Sequence, residues 1–199
     1  MFKPDSLYLY HIVETTKVLG KGNRFAIWVQ GCDKRCQNCI VPDSWSKTDG
    51  GFEISIDDLV QKILDIPNLD GVTISGGEPF LQSSQLVNLI QKLNSSANLN
   101  YIIYSGLNYD DILEDEKQNE LLNMIDLLID GEYVDKLNSE IPLIGSSNQG
   151  VYIISDDGSI LADFMLSQKS RDLEFLIQDN KIFMVGIPPK NEIKFRGEL

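Results

Sequence analysis

Apolar and polar positions along this chain follow two rhythms, and the switches between them mark out its elements. "RFAIWVQG" is apolar and aromatic almost throughout and ends on a glycine, which predicts a buried strand. "SIDDLVQKILDIP" instead places Ile56, Leu59, Val60, Ile63 and Leu64 on one helical face, with Ser55 set to cap the start and Pro67 beyond the end. "GVTIS" returns to the strand rhythm and runs directly into "GGEP"; Leu86, Leu89, Ile90 and Leu93 then share the face of another helix. "LNYIIYSG" predicts the next strand, and "LLNMIDLLIDG" a helix end leading into a further one. The acidic run "DDILEDEKQNE" reads as a solvated helix face.

Strands that are apolar on both faces and alternate with helices predict an α/β fold, a parallel sheet covered by helices. "GVYIISDDGSILADF" breaks the rhythm, and its two alternating runs around Asp157-Gly158 predict a β-hairpin. "KIFMV" is a short final strand, followed by a polar tail expected to be loosely held. The chain shows no internal repeat, low-complexity tract or linker, so residues 1–199 are expected to form a single domain.

Charge narrows the partners. The formal net charge of -13 repels phosphate backbones and anionic lipid, which argues against nucleic acid and against a membrane surface. "MFKPDSLYLYHIVETT" has no charged segment followed by an apolar run and a small-residue cleavage site, and no stretch approaches membrane-spanning length. A cytoplasmic location is therefore expected, where thiols stay reduced.

All three cysteines lie in one loop, "GCDKRCQNCIVPDSW", as Cys32, Cys36 and Cys39. An odd cluster so closely spaced is not a disulfide framework, and ligation is the better explanation. Three thiolates in C-x3-C-x2-C spacing can each take one corner of an iron-sulfur cubane, leaving one iron free for another ligand; a ferredoxin normally uses four. The competing reading is a structural zinc site of the three cysteines and His11. His11 lies far upstream, in the strand-like "LYLYHIVE", and zinc loops more often use paired C-x2-C knuckles. Trp28 and Trp45 read as core or as cover for the cysteine loop.

Cys32, Cys36 and Cys39, followed after a strand by Gly76-Gly77-Glu78-Pro79, resemble the radical S-adenosylmethionine superfamily. The resemblance implies a partial (βα) barrel of mostly parallel strands, completed here by the C-terminal β-hairpin. It implies a 4Fe-4S cluster held by the cysteines, with S-adenosylmethionine chelating the open iron and cleaved reductively to a 5'-deoxyadenosyl radical that abstracts hydrogen. Gly76, Gly77, Glu78 and Pro79 would bind that cosubstrate: the glycines let backbone approach a ligand, Glu78 meets the methionyl ammonium and Pro79 fixes the turn.

"GKGNR", the cysteine loop with Trp45, "SGGEPF", "YSG", "LLIDGEY" and "GSSNQ" are similar, in order, to the activating proteins of anaerobic ribonucleotide reductase. By that resemblance Ser105 and Asp130 contact the ribose or methionyl part of S-adenosylmethionine. The target would be a glycine of a large glycyl-radical enzyme, and the electron would come from a flavodoxin or ferredoxin-type reductant. Two positions depart from the pattern. Asn38 stands where many superfamily members carry an aromatic residue, and Ile144 precedes "GSSNQ" where an arginine is expected. Ile144 keeps open a second target, a peptide or small metabolite. A non-enzymatic electron carrier or zinc-stabilised binding module is the reading from a different class.

Overall fold

The computed structural model describes residues 3–178 and 181–189. In chain order the elements are β1 (Ser6–Thr16), β2 (Arg24–Val29), β3 (Phe52–Ser55), α1 (Ile56–Leu64), β4 (Gly71–Gly76), α2 (Ser83–Asn94), β5 (Asn100–Tyr104), α3 (Tyr109–Glu114), α4 (Glu116–Leu122), β6 (Leu127–Asp130), β7 (Gly150–Ile153), α5 (Asp156–Ser167), β8 (Glu174–Gln178) and β9 (Lys181–Val185). Seven strands form one sheet in the order β3-β1-β2-β4-β5-β6-β7. β2, β4, β5 and β6 are parallel, as their helical crossovers require, whereas β1, β3 and β7 pair antiparallel at the two ends. The result is the expected α/β partial barrel, with β3 and β7 as its unjoined edges.

The central strands are apolar on both faces because both faces are covered. Phe25, Ile27, Val29, Ile74, Ile103 and Leu128 pack against the helix-borne Leu59, Ile63, Leu86, Leu89, Ile90 and Leu121. The alternate residues Ile102, Leu127 and Ile129 turn inward and meet Leu161, Ala162 and Met165 of α5. Apart from Ala162, each of these buried side chains contributes roughly 1.5–3 kcal/mol. α1 begins as its sequence predicts: Ser55 Oγ accepts from the N–H of Asp58 at 3.0 Å, and Asp57 and Asp58 occupy the first turn. The acidic run forms α3 and α4, which bury Ile112, Leu121 and Leu122 and turn Asp110, Asp111, Glu114 and Glu116 to solvent.

The hairpin expected around Asp157-Gly158 is not formed there. Gly150–Ile153 pairs instead with β6, and Ser155 Oγ caps α5 by accepting from the Gly158 N–H at 3.2 Å. Gly158 serves close packing rather than a turn, since a β-carbon there would stand 2.0 Å from the Asp126 carbonyl oxygen. The C-terminal hairpin is β8–β9, made by Glu174–Gln178 and by the predicted final strand. It closes the inner face of the barrel: Val185 packs with Val13, Leu19 and Ala26, and Phe183 stacks on His11 at 4.3 Å between ring centres. The polar tail beyond residue 189 lies outside the described residues. No helix among the described residues is long and apolar enough to cross a membrane.

Candidate metal and ligand site

β2 delivers the chain into the cysteine loop at the carboxyl end of the sheet, where open α/β folds gather their ligands. Gly31, with φ +102°, makes the turn. Its N–H donates to the Ser44 carbonyl at 2.7 Å, its carbonyl accepts from the N–H of Glu78 at 2.8 Å, and the Cys32 N–H donates to the Trp45 carbonyl at 3.0 Å. Beneath them the buried Gln30 amide donates to the carbonyls of Asp43, Ser46 and Asp49 at 2.9–3.0 Å, fixing the loop that carries Trp45. Asn38 adopts φ +59°, a left-handed conformation that asparagine tolerates better than most residues, and its Nδ2 donates to Asp135 Oδ2 at 3.0 Å. That backbone accounts for asparagine where an aromatic residue is common.

Cys32, Cys36 and Cys39 line one open cleft together with Gly76, Gly77, Glu78 and Ser105. Burial pushes all three thiols up, and N–H groups oppose it: those of Lys34 and Arg35 toward Cys32, of Tyr133 toward Cys36, and of Val41 and the Trp45 indole toward Cys39. Such donors favour thiolate ligands. Among the described residues no three His, Cys, Asp or Glu side chains converge as a single ion would require, and His11 is stacked on Phe183. A cubane, by contrast, takes each thiolate on a different iron. Three soft thiol donors lining one cleft are the donor chemistry such a cluster takes, and Cys32, Cys36 and Cys39 would hold it at three corners.

The "GGEP" turn is built against the cysteine loop. Gly76 (φ +104°) and Gly77 leave no room for a side chain: a β-carbon would lie 2.5 Å from the Val29 nitrogen at the first and 2.2 Å from the Gly31 oxygen at the second. The glycines are thus required by contact between backbones as well as by any approach of a ligand. Glu78 is buried; its Oε1 accepts from Ser105 Oγ at 2.9 Å and the Phe80 N–H at 3.1 Å, and its Oε2 from the Gly106 N–H at 2.7 Å. Burial pushes this carboxyl up, opposed by those three donors and the Lys34 charge. Pro79 opens the short turn Pro79–Gln82 and is buried behind the cleft floor.

Asp130 is placed differently from Glu78 and Ser105. Its carboxylate accepts from the N–H groups of Tyr109 at 2.6 Å and Gly150 at 2.9 Å, and it is Gly131 beside it that lines the cleft. From Gly131 (φ +91°) a strap runs back over the cysteine loop. Lys34 Nζ lies 3.2 Å from Glu132 Oε1, the Tyr133 N–H faces Cys36, and Asp135 holds Asn38. The "GSSNQ" residues brace the strap from behind: Gln149 Nε2 donates to the Gly131 carbonyl at 2.9 Å, Asn148 Nδ2 to the Glu132 carbonyl at 2.9 Å, and Ser146 Oγ accepts from the Val134 N–H at 3.0 Å.

The sequence did not point to Gln30, Lys34 or Arg171. The Arg171 guanidinium donates to the carbonyls of Ile141, Ile144, Gly145 and Pro188 and to Asn138 Oδ1, tying down the loop that carries Ile144 from outside the cleft lining. Tyr104 also lines the cleft; its hydroxyl is buried without a hydrogen-bond partner among the described residues, and burial raises its pKa.

A three-cysteine loop at the carboxyl ends of parallel strands, docked on a Gly-Gly-Glu-Pro turn, defines a partial barrel of the radical S-adenosylmethionine type. The chain belongs to the 4Fe-4S single cluster domain family, whose profile matches residues 18–152. It is similar to a Haemophilus influenzae protein provisionally named a glycyl-radical enzyme activating enzyme, at 34% identity over 100 residues, 49% of this chain and 38% of that protein. It is similar also to the pyruvate formate-lyase-activating enzyme of Staphylococcus aureus (strain USA300), at 36% identity over 94 residues, 45% of this chain and 38% of that enzyme. The match thus spans 38% of the length of either relative.

Proposed function

We propose that this protein installs a glycyl radical on a large partner enzyme such as an anaerobic ribonucleotide reductase. It would use one electron from a flavodoxin or ferredoxin-type reductant and one S-adenosylmethionine, in the cytoplasm. The observation that carries the reading is the set of three thiols, and no fourth cysteine in the chain, facing the Gly-Gly-Glu turn across one cleft. When bound, the cluster and S-adenosylmethionine supply the hydrogen-abstracting chemistry. The chain's own residues hold and orient. Cys32, Cys36 and Cys39 ligate; Gly76, Gly77 and Pro79 fix the floor; Glu78, aligned by Ser105 and Gly106, favours the methionyl ammonium. Asp130 sets the start of the strap rather than reaching the ligand. The names of both relatives, activating enzymes, support a protein target.

Anaerobic reconstitution followed by dithionite and S-adenosylmethionine is expected to release 5'-deoxyadenosine. Mixing with a glycyl-radical partner is then expected to give a glycyl signal in electron paramagnetic resonance. Cys36→Ser should lose the cluster's charge-transfer absorbance and the cleavage together. A colourless, zinc-loaded protein would sink the reading.

A further inference from the structure

Among the described residues that line the cleft, Lys34 is the one cation and Glu78 the one carboxylate. They face each other across Gly106. The Lys34 Cγ is 3.0 Å from where a β-carbon of Gly106 would stand, and the Gly106 N–H donates to Glu78 Oε2. A small ligand bearing both charges could therefore meet both groups. The two are held very differently. Glu78 is fixed by three donors. Lys34 rests on Glu132 at 3.2 Å, with the two side chains 25% and 51% exposed. An ion pair so open to solvent is weak, and a lysine ammonium on its flexible stem exchanges partners readily. Only the Glu132 backbone is braced, through the Asn148 bond to its carbonyl.

We propose that Lys34 is a binding residue that exchanges Glu132 for the carboxylate of a zwitterionic amino-acid group whose ammonium lies on the Glu78 side. On the functional reading above, which this assignment rests on, that group is the methionyl end of S-adenosylmethionine. Glu132 is then the resting partner that neutralises Lys34 and competes with the ligand for it.

The test is anaerobic equilibrium dialysis of the cluster-loaded protein against S-adenosylmethionine and its decarboxylated analogue, which keeps the ammonium and lacks the carboxylate. Lys34→Gln is expected to weaken S-adenosylmethionine by about tenfold, the worth of one charge-assisted hydrogen bond, and to leave the decarboxylated analogue unchanged. Glu132→Gln is expected to tighten S-adenosylmethionine by about threefold, again without effect on the analogue. Equal losses for both ligands, or no loss in Lys34→Gln, overturn the assignment. Should Lys34→Gln fail to take up iron, the half-exposed Glu132→Gln decides, and unchanged S-adenosylmethionine binding overturns the exchange. Wild-type protein that loads a cluster and binds no S-adenosylmethionine defeats the functional reading itself. Binding in the wild type with equal binding in Lys34→Gln defeats only the role of Lys34.

Discussion

Ser105 Oγ donates to Glu78 Oε1 at 2.9 Å, joining the carboxyl ends of β4 and β5 under the floor of the cleft. With the N–H groups of Phe80 and Gly106 also directed at this carboxylate, Glu78 is part of the scaffold as well as of the site. Glu78→Gln keeps one acceptor oxygen but points an amide donor at the Gly106 N–H. The expected cost is roughly 1–3 kcal/mol. At about 2–4 °C per kcal/mol for a chain of this size, the apoprotein should melt several degrees lower. Ser105→Ala should cost less, about 1 kcal/mol. A Glu78→Gln apoprotein as stable as wild type would mean that these donors are not engaged in solution.

Gly77 and Gly106 make opposite predictions although both are cleft glycines. A β-carbon at Gly77 meets backbone, the Gly31 oxygen at 2.2 Å and the Ser44 oxygen at 3.0 Å. One at Gly106 meets the flexible Lys34 stem at 3.0 Å. Gly77→Ala should push the turn off the cysteine loop, costing roughly 1–3 kcal/mol and lowering the iron bound per chain. Gly106→Ala should retain its iron. Iron analysis of the two reconstituted variants checks this, and equal iron in both would count against the docking of the turn on Gly31.

His11 sets a pH dependence on the closure of the barrel. Burial lowers its pKa below the ordinary 6.5, and its Nε2 has no hydrogen-bond partner among the described residues. Above 6.5 the imidazole is neutral folded or unfolded, and its contribution is complete. As pH falls below 6.5 the unfolded chain takes up the proton first, so stability is lost until the lowered folded-state pKa is reached. Because the chain has one histidine, His11→Phe should remove this loss while keeping the stack on Phe183. Urea midpoints at about pH 7.5 and about pH 5.5 should separate more in wild type than in the variant.

The elements that carry the site were legible because their signals are local. Ser55 reveals the start of α1 from its own neighbours, and the short, mainly apolar runs of β4 and β5 between turn signals reveal strands covered on both faces. The segment around Asp157-Gly158 misled because Ser-Asp-Asp-Gly serves equally as a turn or as a capped first turn of helix. The choice is made by Leu161, Ala162 and Met165 packing on β5 and β6. The glycines of "GGEP" answer to packing that a sequence does not display, since it does not show which backbone will lie against them. Arg171 was invisible: its partners are mainly carbonyls, which every residue carries, brought near by the fold.

The bracing of the strap by Gln149 gives the least local prediction. Its Oε1 accepts from the N–H groups of Gly145 and Ser146 at 2.9 and 3.1 Å, while its Nε2 donates to the Gly131 carbonyl at 2.9 Å. One side chain thus joins the two loops that flank the cysteines without touching a thiol. Gln149→Ala leaves two N–H groups and one carbonyl unpaired, for about 1–3 kcal/mol. Gln149→Glu keeps the acceptor role, loses the donor, and sets a carboxylate against the Gly131 carbonyl. If the strap positions Cys36 through the Tyr133 N–H, both variants should assemble the cluster more slowly than wild type, seen as delayed growth of charge-transfer absorbance during reconstitution. A purely structural Gln149 would instead lower the melting temperature and leave the assembly rate of the folded fraction unchanged.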